Sequence, residues 1–186
     1  IDAADGELAR LKNTPSYVGR YLDSVFDIIL NFLFLMTICY VSQTSLWLTL
    51  IAFLCIQLQG TLYNYYYVIL RNKSVGGDTT SKVFEYKTPR ALPGETQKSV
   101  NILFKIYTVV YGGFDKIIHA LDKDAYKVKT FPNWFMTIVS LYGLGFQLLI
   151  ISVLLPLGKI EWIIPFFIGY SILIFILIGI RKTLFT

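Results

Sequence analysis

Charged residues vanish from the chain after Asp27 and return only at Arg71, leaving 43 uncharged positions in between. About 20 apolar residues carry a helix across a bilayer, so the run predicts two spans joined by a turn. Polar side chains interrupt it at Val41-Ser42-Gln43-Thr44-Ser45, which puts one helix at about Tyr21 to Tyr40 and the next at Leu46 to Leu70. Two more uncharged runs, Phe131 to Gly158 and Trp162 to Ile180, predict two further spans. Pro156, Gly158 and the segment Lys159 to Glu161 make the turn between them, and Pro165 fits the first turn of the last helix. Trp47, Trp134 and Trp162 each fall near a predicted boundary, where amphipathic rings meet the headgroups. The pattern is that of an all-α, polytopic integral membrane helix bundle, a single domain over residues 1–186.

Between the second and third of these spans lies a connector, residues 71–130, with turn signals at Gly76-Gly77-Asp78, Thr88-Pro89 and Pro93-Gly94. Beyond them, Val100, Leu103, Phe104, Tyr107, Val110, Tyr111, Phe114, Ile117, Ile118 and Leu121 recur at three-and-four spacing, with Lys105, Asp115, Lys116 and His119 elsewhere on the wheel. The spacing predicts an amphipathic helix over 98–121, bent at Gly112-Gly113. Its charges leave too short a clean run for another span, so it is read as lying at the membrane surface; packing against the spans is the alternative.

Composition and charge sharpen this picture. With 55% apolar and only 16% charged residues, the 186-residue chain is too apolar for an ordinary soluble domain. Its net charge of +5 carries no nucleic-acid motif, and nucleic acid is not expected as a partner. The connector holds eleven basic and six acidic residues, whereas the opposite loops carry nothing or Lys159 against Glu161. Cytoplasmic loops are enriched in Lys and Arg, so the connector, the N-terminal stretch and Arg181-Lys182 are expected on the cytoplasmic side, against anionic lipid. Cys39 and Cys55 sit inside apolar runs and read as packing residues.

The candidate chemistry is in residues 1–27, where Asp2, Asp5, Asp23 and Asp27 are the only acids besides Glu7. Asp2 and Asp5 are three apart and Asp23 and Asp27 four apart, so on a helix each pair shares a face. Two unit charges ~4 Å apart repel by roughly 4 kcal/mol at an effective dielectric near 20, so four converging carboxylates need compensation. Hard oxygen donors without a Cys or His cluster favour Mg²⁺ or Mn²⁺ over zinc. Ordinary solvated charges at a helix end are the bland reading. Against it stands the full pattern D-x2-D-G-x2-A-R-x8-G-x3-D-x3-D, filled by Asp2, Asp5, Gly6, Ala9, Arg10, Gly19, Asp23 and Asp27. At residue frequencies of about one in twenty, eight specified positions recur by chance on the order of once in ten billion starts.

This stretch resembles the signature of the CDP-alcohol phosphatidyltransferase family, integral membrane enzymes that move a phosphatidyl or similar group from a CDP-linked donor to an alcohol. The resemblance implies a two-metal site of Mg²⁺ or Mn²⁺ on Asp2, Asp5, Asp23 and Asp27, with Asp27 taking the proton of the attacking hydroxyl. It implies that Gly6, Ala9 and Gly19 let the cytidine approach the backbone and that Arg10 binds a phosphate. The implied donor is CDP-diacylglycerol, the implied acceptor a small alcohol, and the implied assembly a homodimer. Family members have six spans and the signature begins at the end of the second, so an upstream part is expected to be missing here. A soluble donor of the CDP-choline, CDP-ethanolamine or CDP-inositol type is the alternative within the family. A cation-binding transporter fragment is the alternative outside it, disfavoured because Gly6, Ala9, Arg10 and Gly19 have no role in simple ion transport.

Arg71 and Arg181 end their helices on the side of Asp23 and Asp27. They read either as helix-end or headgroup anchors or as grips for a phosphate on the acceptor. His119, the only histidine, reads as a surface residue, and Tyr63, Tyr65, Tyr66 and Tyr67 read as an interfacial belt in preference to a headgroup pocket. Gly143 and Gly145 lack the context of a dinucleotide fingerprint and read as positions of close helix packing.

Overall fold

The computed structural model describes residues 14–74, 85 and 87–185. Among these, every regular element is helical: α1 (Tyr17–Ser42), α2 (Leu46–Ser74), α3 (Gln97–Leu121), α4 (Asn133–Ser140), α5 (Leu144–Leu154), α6 (Ile163–Tyr170) and α7 (Leu173–Leu184), with 3₁₀ turns at Ala125–Lys127 and Ile160–Trp162. Three helical stretches are long and apolar enough to cross a membrane: Tyr17–Ser42, Leu46–Lys73 and Ile160–Leu184. The pair α4 and α5 makes a fourth only as a broken span. The predicted hairpin is present, with α1 stopping at Ser42 because Gln43 turns left-handed (φ 53°) and its N–H closes back on Cys39.

A single straight span over Phe131 to Gly158 is not what forms. The chain bends by 49° between α4 and α5. Ser140 Oγ bonds Thr137 O (2.7 Å), the Gly143 N–H bonds Ser140 O (2.9 Å), and Gly143 then turns extended as the N-cap of α5. Gly143 belongs at this corner because a Cβ would lie 3.0 Å from Ser140 O and 3.5 Å from the Tyr63 ring. A break in a membrane helix frees backbone groups that lipid cannot satisfy, and buried amides take up that role here. Gln147 Nε2 donates to Tyr142 O (3.3 Å) and Gln59 Oε1 (3.2 Å). Gln59 Nε2 in turn donates to Phe167 O (3.0 Å) and Ser171 Oγ (2.7 Å), bridging the turn between α6 and α7.

Apolar packing is divided along the bundle. At the end where α1 turns into α2, Leu35, Ile38, Ala52 and Ile56 pack on Ile163, Ile164 and Phe167. At the other end, Tyr65, Tyr66 and Ile69 of α2 meet Ile118 of α3, Phe131, Phe135 and the α7 residues Leu177 and Ile178. The long apolar side chains on the outside, Phe26, Leu33, Leu54 and Phe175 among them, form the face expected toward lipid. Trp47, Trp134 and Trp162 are exposed near helix starts, as anticipated.

The amphipathic helix is present as α3, capped by Thr96, whose side chain accepts the Ser99 N–H (3.2 Å). It packs against the spans by its inner face: Val100 and Phe104 close on Tyr21 of α1, and Ile118 joins the α2 core. Its outer stripe, Ile102, Ile106, Val109 and Ile117, is exposed, so Ile117 faces outward although its spacing put it with the inner residues.

Candidate active site

The N-terminus of α1 is built by residues remote in sequence. Ser16 caps the helix, accepting the Gly19 N–H (2.8 Å), and its hydroxyl donates to Glu95 Oε1 (2.7 Å). The same oxygen accepts the Val18 N–H (2.7 Å), while Glu95 Oε2 accepts from Leu92 (3.1 Å). A carboxylate here meets the helix's positive end. Against burial, which acts the other way, these hydrogen bonds hold Glu95 below the usual carboxylate range. Gly19 is exposed in this first turn, where a Cβ would approach Ser16 Oγ to 3.2 Å.

One turn further on, Arg20 forms a bidentate pair with Glu85, NH1 to Oε1 and NH2 to Oε2, both 2.6 Å. Tyr21 OH donates to Glu85 Oε2 (2.8 Å), and the guanidinium lies 4.5 Å over the Tyr21 ring and 5.9 Å from the Tyr107 ring of α3. Tyr107 stacks on Tyr111 at 5.3 Å between ring centres. Burial first, and then the charges of Asp27, Asp115 and Asp23, raise the Tyr111 phenol above its ordinary pKa. Tyr111 therefore sits in the field of both α1 aspartates. Asp23 is exposed and Asp27 half-buried.

Spacing placed Asp23 and Asp27 on one face, and the helix over 17–42 puts them on adjacent turns. By donor type they fit a hard divalent cation, both side chains being carboxylates. Asp2, Asp5, Gly6, Ala9 and Arg10 lie outside the described residues. Among the described residues no group of three or more His, Cys, Asp or Glu side chains is gathered for a metal.

The chain matches the family model for CDP-alcohol phosphatidyltransferase over residues 1–164, which includes Asp2, Asp5, Gly6, Ala9, Arg10, Gly19, Asp23 and Asp27. It belongs to that family. Membership carries phosphatidyl transfer from a CDP-alcohol to an alcohol acceptor, supported by divalent metal ions. Searches of curated proteins and of solved structures find no match.

Arg71 and Arg181 are not brought together as equals in this phosphatidyltransferase. Arg181 is 4% exposed and its guanidinium faces Asp122, Nε to Oδ2 at 2.7 Å and NH2 to Oδ1. Tyr66 OH donates to Asp122 Oδ2 (2.7 Å) and Tyr65 OH to the Asp122 carbonyl (2.9 Å). Tyr65 and Tyr66 are thus buried donors and do not belong to an interfacial belt, in contrast to the exposed Tyr67. Arg71 is half-buried near the end of α2. The Tyr65 ring also meets His119 edge-on, centroids 6.5 Å apart.

Asp122, Arg20, Glu85 and Glu95 were missed because each sits among other charges or turn residues and looks solvated in sequence. Asp115 was assigned to the outer side of the amphipathic helix. It is half-buried, and with Glu85, Asn64, Tyr65, Tyr107 and Thr108 it lines a partly open cavity of about 50 Å³ between α2 and α3.

Proposed function

We propose that the protein transfers a phosphatidyl group from CDP-diacylglycerol to a small alcohol with release of CMP. The observation that carries this reading is the α1 face bearing Asp23 and Asp27 beside Tyr111, inside a sequence signature that the family model covers. Asp2, Asp5, Asp23 and Asp27 hold two divalent ions, Mg²⁺ or Mn²⁺. The metal, when bound, neutralises the donor pyrophosphate and makes CMP a better leaving group. Asp27 accepts the proton of the acceptor hydroxyl. That oxygen forms its bond to the phosphatidyl phosphorus as the bond from that phosphorus to the CMP oxygen breaks. Gly6, Ala9 and Gly19 leave room for the cytidine, and Arg10 presents a planar fork to a phosphate.

The lipid-linked donor is favoured over a soluble one by the apolar side chains exposed along α1, Leu22, Phe26 and Leu30, which flank the carboxylate face and offer acyl chains a path. Arg181 acts as a structural cation for Asp122, and Arg71 anchors its helix end at the headgroups. The connector lies on the cytoplasmic side, the side of Arg71, Lys73 and the Arg181-Lys182 pair.

The test is to incubate the protein in liposomes with labelled CDP-diacylglycerol, Mg²⁺ or Mn²⁺ and a panel of alcohols, and to follow CMP and lipid product. Acceptor-dependent CMP release with a new phospholipid is expected. Release only from CDP-choline or CDP-ethanolamine with diacylglycerol would overturn the donor assignment. A cysteine replacing Lys87 should react with an impermeant maleimide only in opened cells, and labelling of intact cells would invert the orientation.

A further inference from the structure

Helix α3 uses only part of its apolar arc to pack on the bundle. Val100, Phe104 and Ile118 face α1 and α2, while Ile102, Ile106, Val109 and Ile117 stay exposed, Val109 by 76%. At roughly 100° per residue the exposed four fall within an arc of about 80°, opposite the buried three. Lys98, Lys105 and Lys116 are exposed too, and they lie within about 20° of one another along one edge of that arc. Among the described residues none of these lysines is held in an ion pair. The helix has a single acid, Asp115, which is half-buried on the wall of the cavity between α2 and α3. The outer face is therefore an apolar stripe with a cationic border.

The placement of α3 decides what covers that face. Its first half closes on Tyr21 near the start of α1, and Ile118 near its end meets Tyr65, Tyr66 and Ile69 toward the end of α2. Both halves thus dock on the end of the bundle where α1 begins and α2 finishes. Tyr67, Tyr126 and Trp134 are exposed at this end, and such amphipathic rings settle among lipid headgroups. The lipid face of α1 starts at the same level, since Leu22 and Phe26 are exposed next to Tyr21 and just beyond it. A second copy suits the stripe less well. In a membrane it would be related by an axis along the bilayer normal, which brings the two lysine rows to the same edge of the contact, like charge against like.

We propose that the outer face of α3 seats in the boundary between headgroups and acyl chains of an anionic leaflet, with Ile102, Ile106, Val109 and Ile117 among the acyl chains and Lys98, Lys105 and Lys116 on lipid phosphates. Apolar area and the attraction of basic residues to anionic lipid act together in holding such a helix. The inner face of the same helix brings Tyr107 to the Arg20 guanidinium and Tyr111 into the field of Asp23 and Asp27. The helix that the leaflet holds therefore also borders the α1 carboxylates, whichever donor and acceptor the enzyme takes.

The test uses the full chain in vesicles of phosphatidylcholine and phosphatidylglycerol, with Cys39 and Cys55 replaced by alanine and a single cysteine placed at Val109 or at Asn101. Spin labels at the two positions meet oxygen, which partitions into lipid, and a nickel chelate, which stays in water. The Val109 label should collide mainly with oxygen and the Asn101 label mainly with the chelate. Equal access of the chelate to both would put the stripe in water. Exclusion of both probes from Val109, with dipolar broadening between labels, would put a second copy on it, and either result overturns the proposal. The charge is read by a fluorophore at Val109, quenched by brominated phosphatidylglycerol or by brominated phosphatidylcholine at equal mole fraction. The anionic lipid should quench at least about twofold more strongly at low salt, and the preference should fade as salt is raised. Changing Lys98, Lys105 and Lys116 together to glutamine should remove it, with an unchanged Tm in detergent showing the variant folded, and changing them to arginine should keep it. The salt dependence reads the same charge with the lysines in place. Equal quenching by the two lipids, or a preference that survives the three glutamines, would overturn the proposal.

Discussion

Asp27 and Asp122 are the same residue type in the same half of the bundle, and the structure treats them oppositely. Asp122 is fully buried and enclosed by the Arg181 fork and the Tyr66 hydroxyl, with Tyr65 holding its carbonyl. Asp27 is half-buried, with the exposed Asp23 one turn away and a phenol, Tyr111, in its field. A carboxylate whose oxygens are occupied by donors of its own chain has nothing left to offer a substrate, and its removal is felt as lost stability. A pair of carboxylates on one helix face that opens to the surface can be reached by a cation, and its loss is felt as lost rate. Burial and partners separate the two roles.

The largest expected effect tests the functional side. Asp27→Asn should lower CMP turnover by about two to four orders of magnitude, roughly 3–5 kcal/mol of barrier, while the protein stays folded. Recovery to near wild-type rate with excess Mn²⁺ and donor would make Asp27 a ligand only and remove its role as base. On the structural side, Asp122→Asn leaves the Arg181 charge buried without its partner and should cost about 3–5 kcal/mol of stability in a detergent unfolding assay. Replacing both members, Asp122→Leu with Arg181→Met, should recover a large part of that loss. If Asp122→Asn unfolded no more easily than wild type but turned over poorly, the contrast between the two aspartates would collapse.

Asp115 stands between these extremes, and pH reads it out. Burial, reinforced by Glu85 and opposed by Arg20, lifts its carboxyl from 3.8 to about 6. The folded protein thus holds this proton more tightly than the unfolded chain, so the contribution of Asp115 to stability should be greatest below pH ~4, fall between pH ~4 and ~6, and be flat above, by at most about 3 kcal/mol. Asp115→Asn should abolish this slope in unfolding measured across that range. Persistence of the slope would assign it to another group. The smallest effect belongs to Glu95, where Glu95→Gln should cost about 1 kcal/mol by weakening the charged cap on α1, with turnover per folded molecule changing little. A turnover loss larger than the stability loss would make the α1 start part of the chemistry.

Gly143 shows how much of the fold was readable. The uncharged runs reported which segments enter the membrane and where the first hairpin turns, since hydropathy and span length are properties of the segments alone. They could not report that the run from Phe131 breaks at Gly143. The break is supported by Gln147, whose amide satisfies the Tyr142 carbonyl and is itself held by Gln59, 88 positions away in sequence. The α3 spacing likewise disclosed a helix, while only packing on α1 and α2 turned Asp115 inward and left Ile117 outside.

For the site, the signature by itself disclosed the family, because Asp2, Asp5, Gly6, Ala9, Arg10, Gly19, Asp23 and Asp27 are local in the chain, and the spacing of Asp23 and Asp27 alone put that pair on one face of α1. Tertiary structure decided which remaining charges are spoken for. It gave Arg20 to Glu85 and Arg181 to Asp122, across 65 and 59 positions. No periodicity encodes such pairs, since a charge's partner depends on which helices meet, and it is the energy of burying that charge which selects the partner.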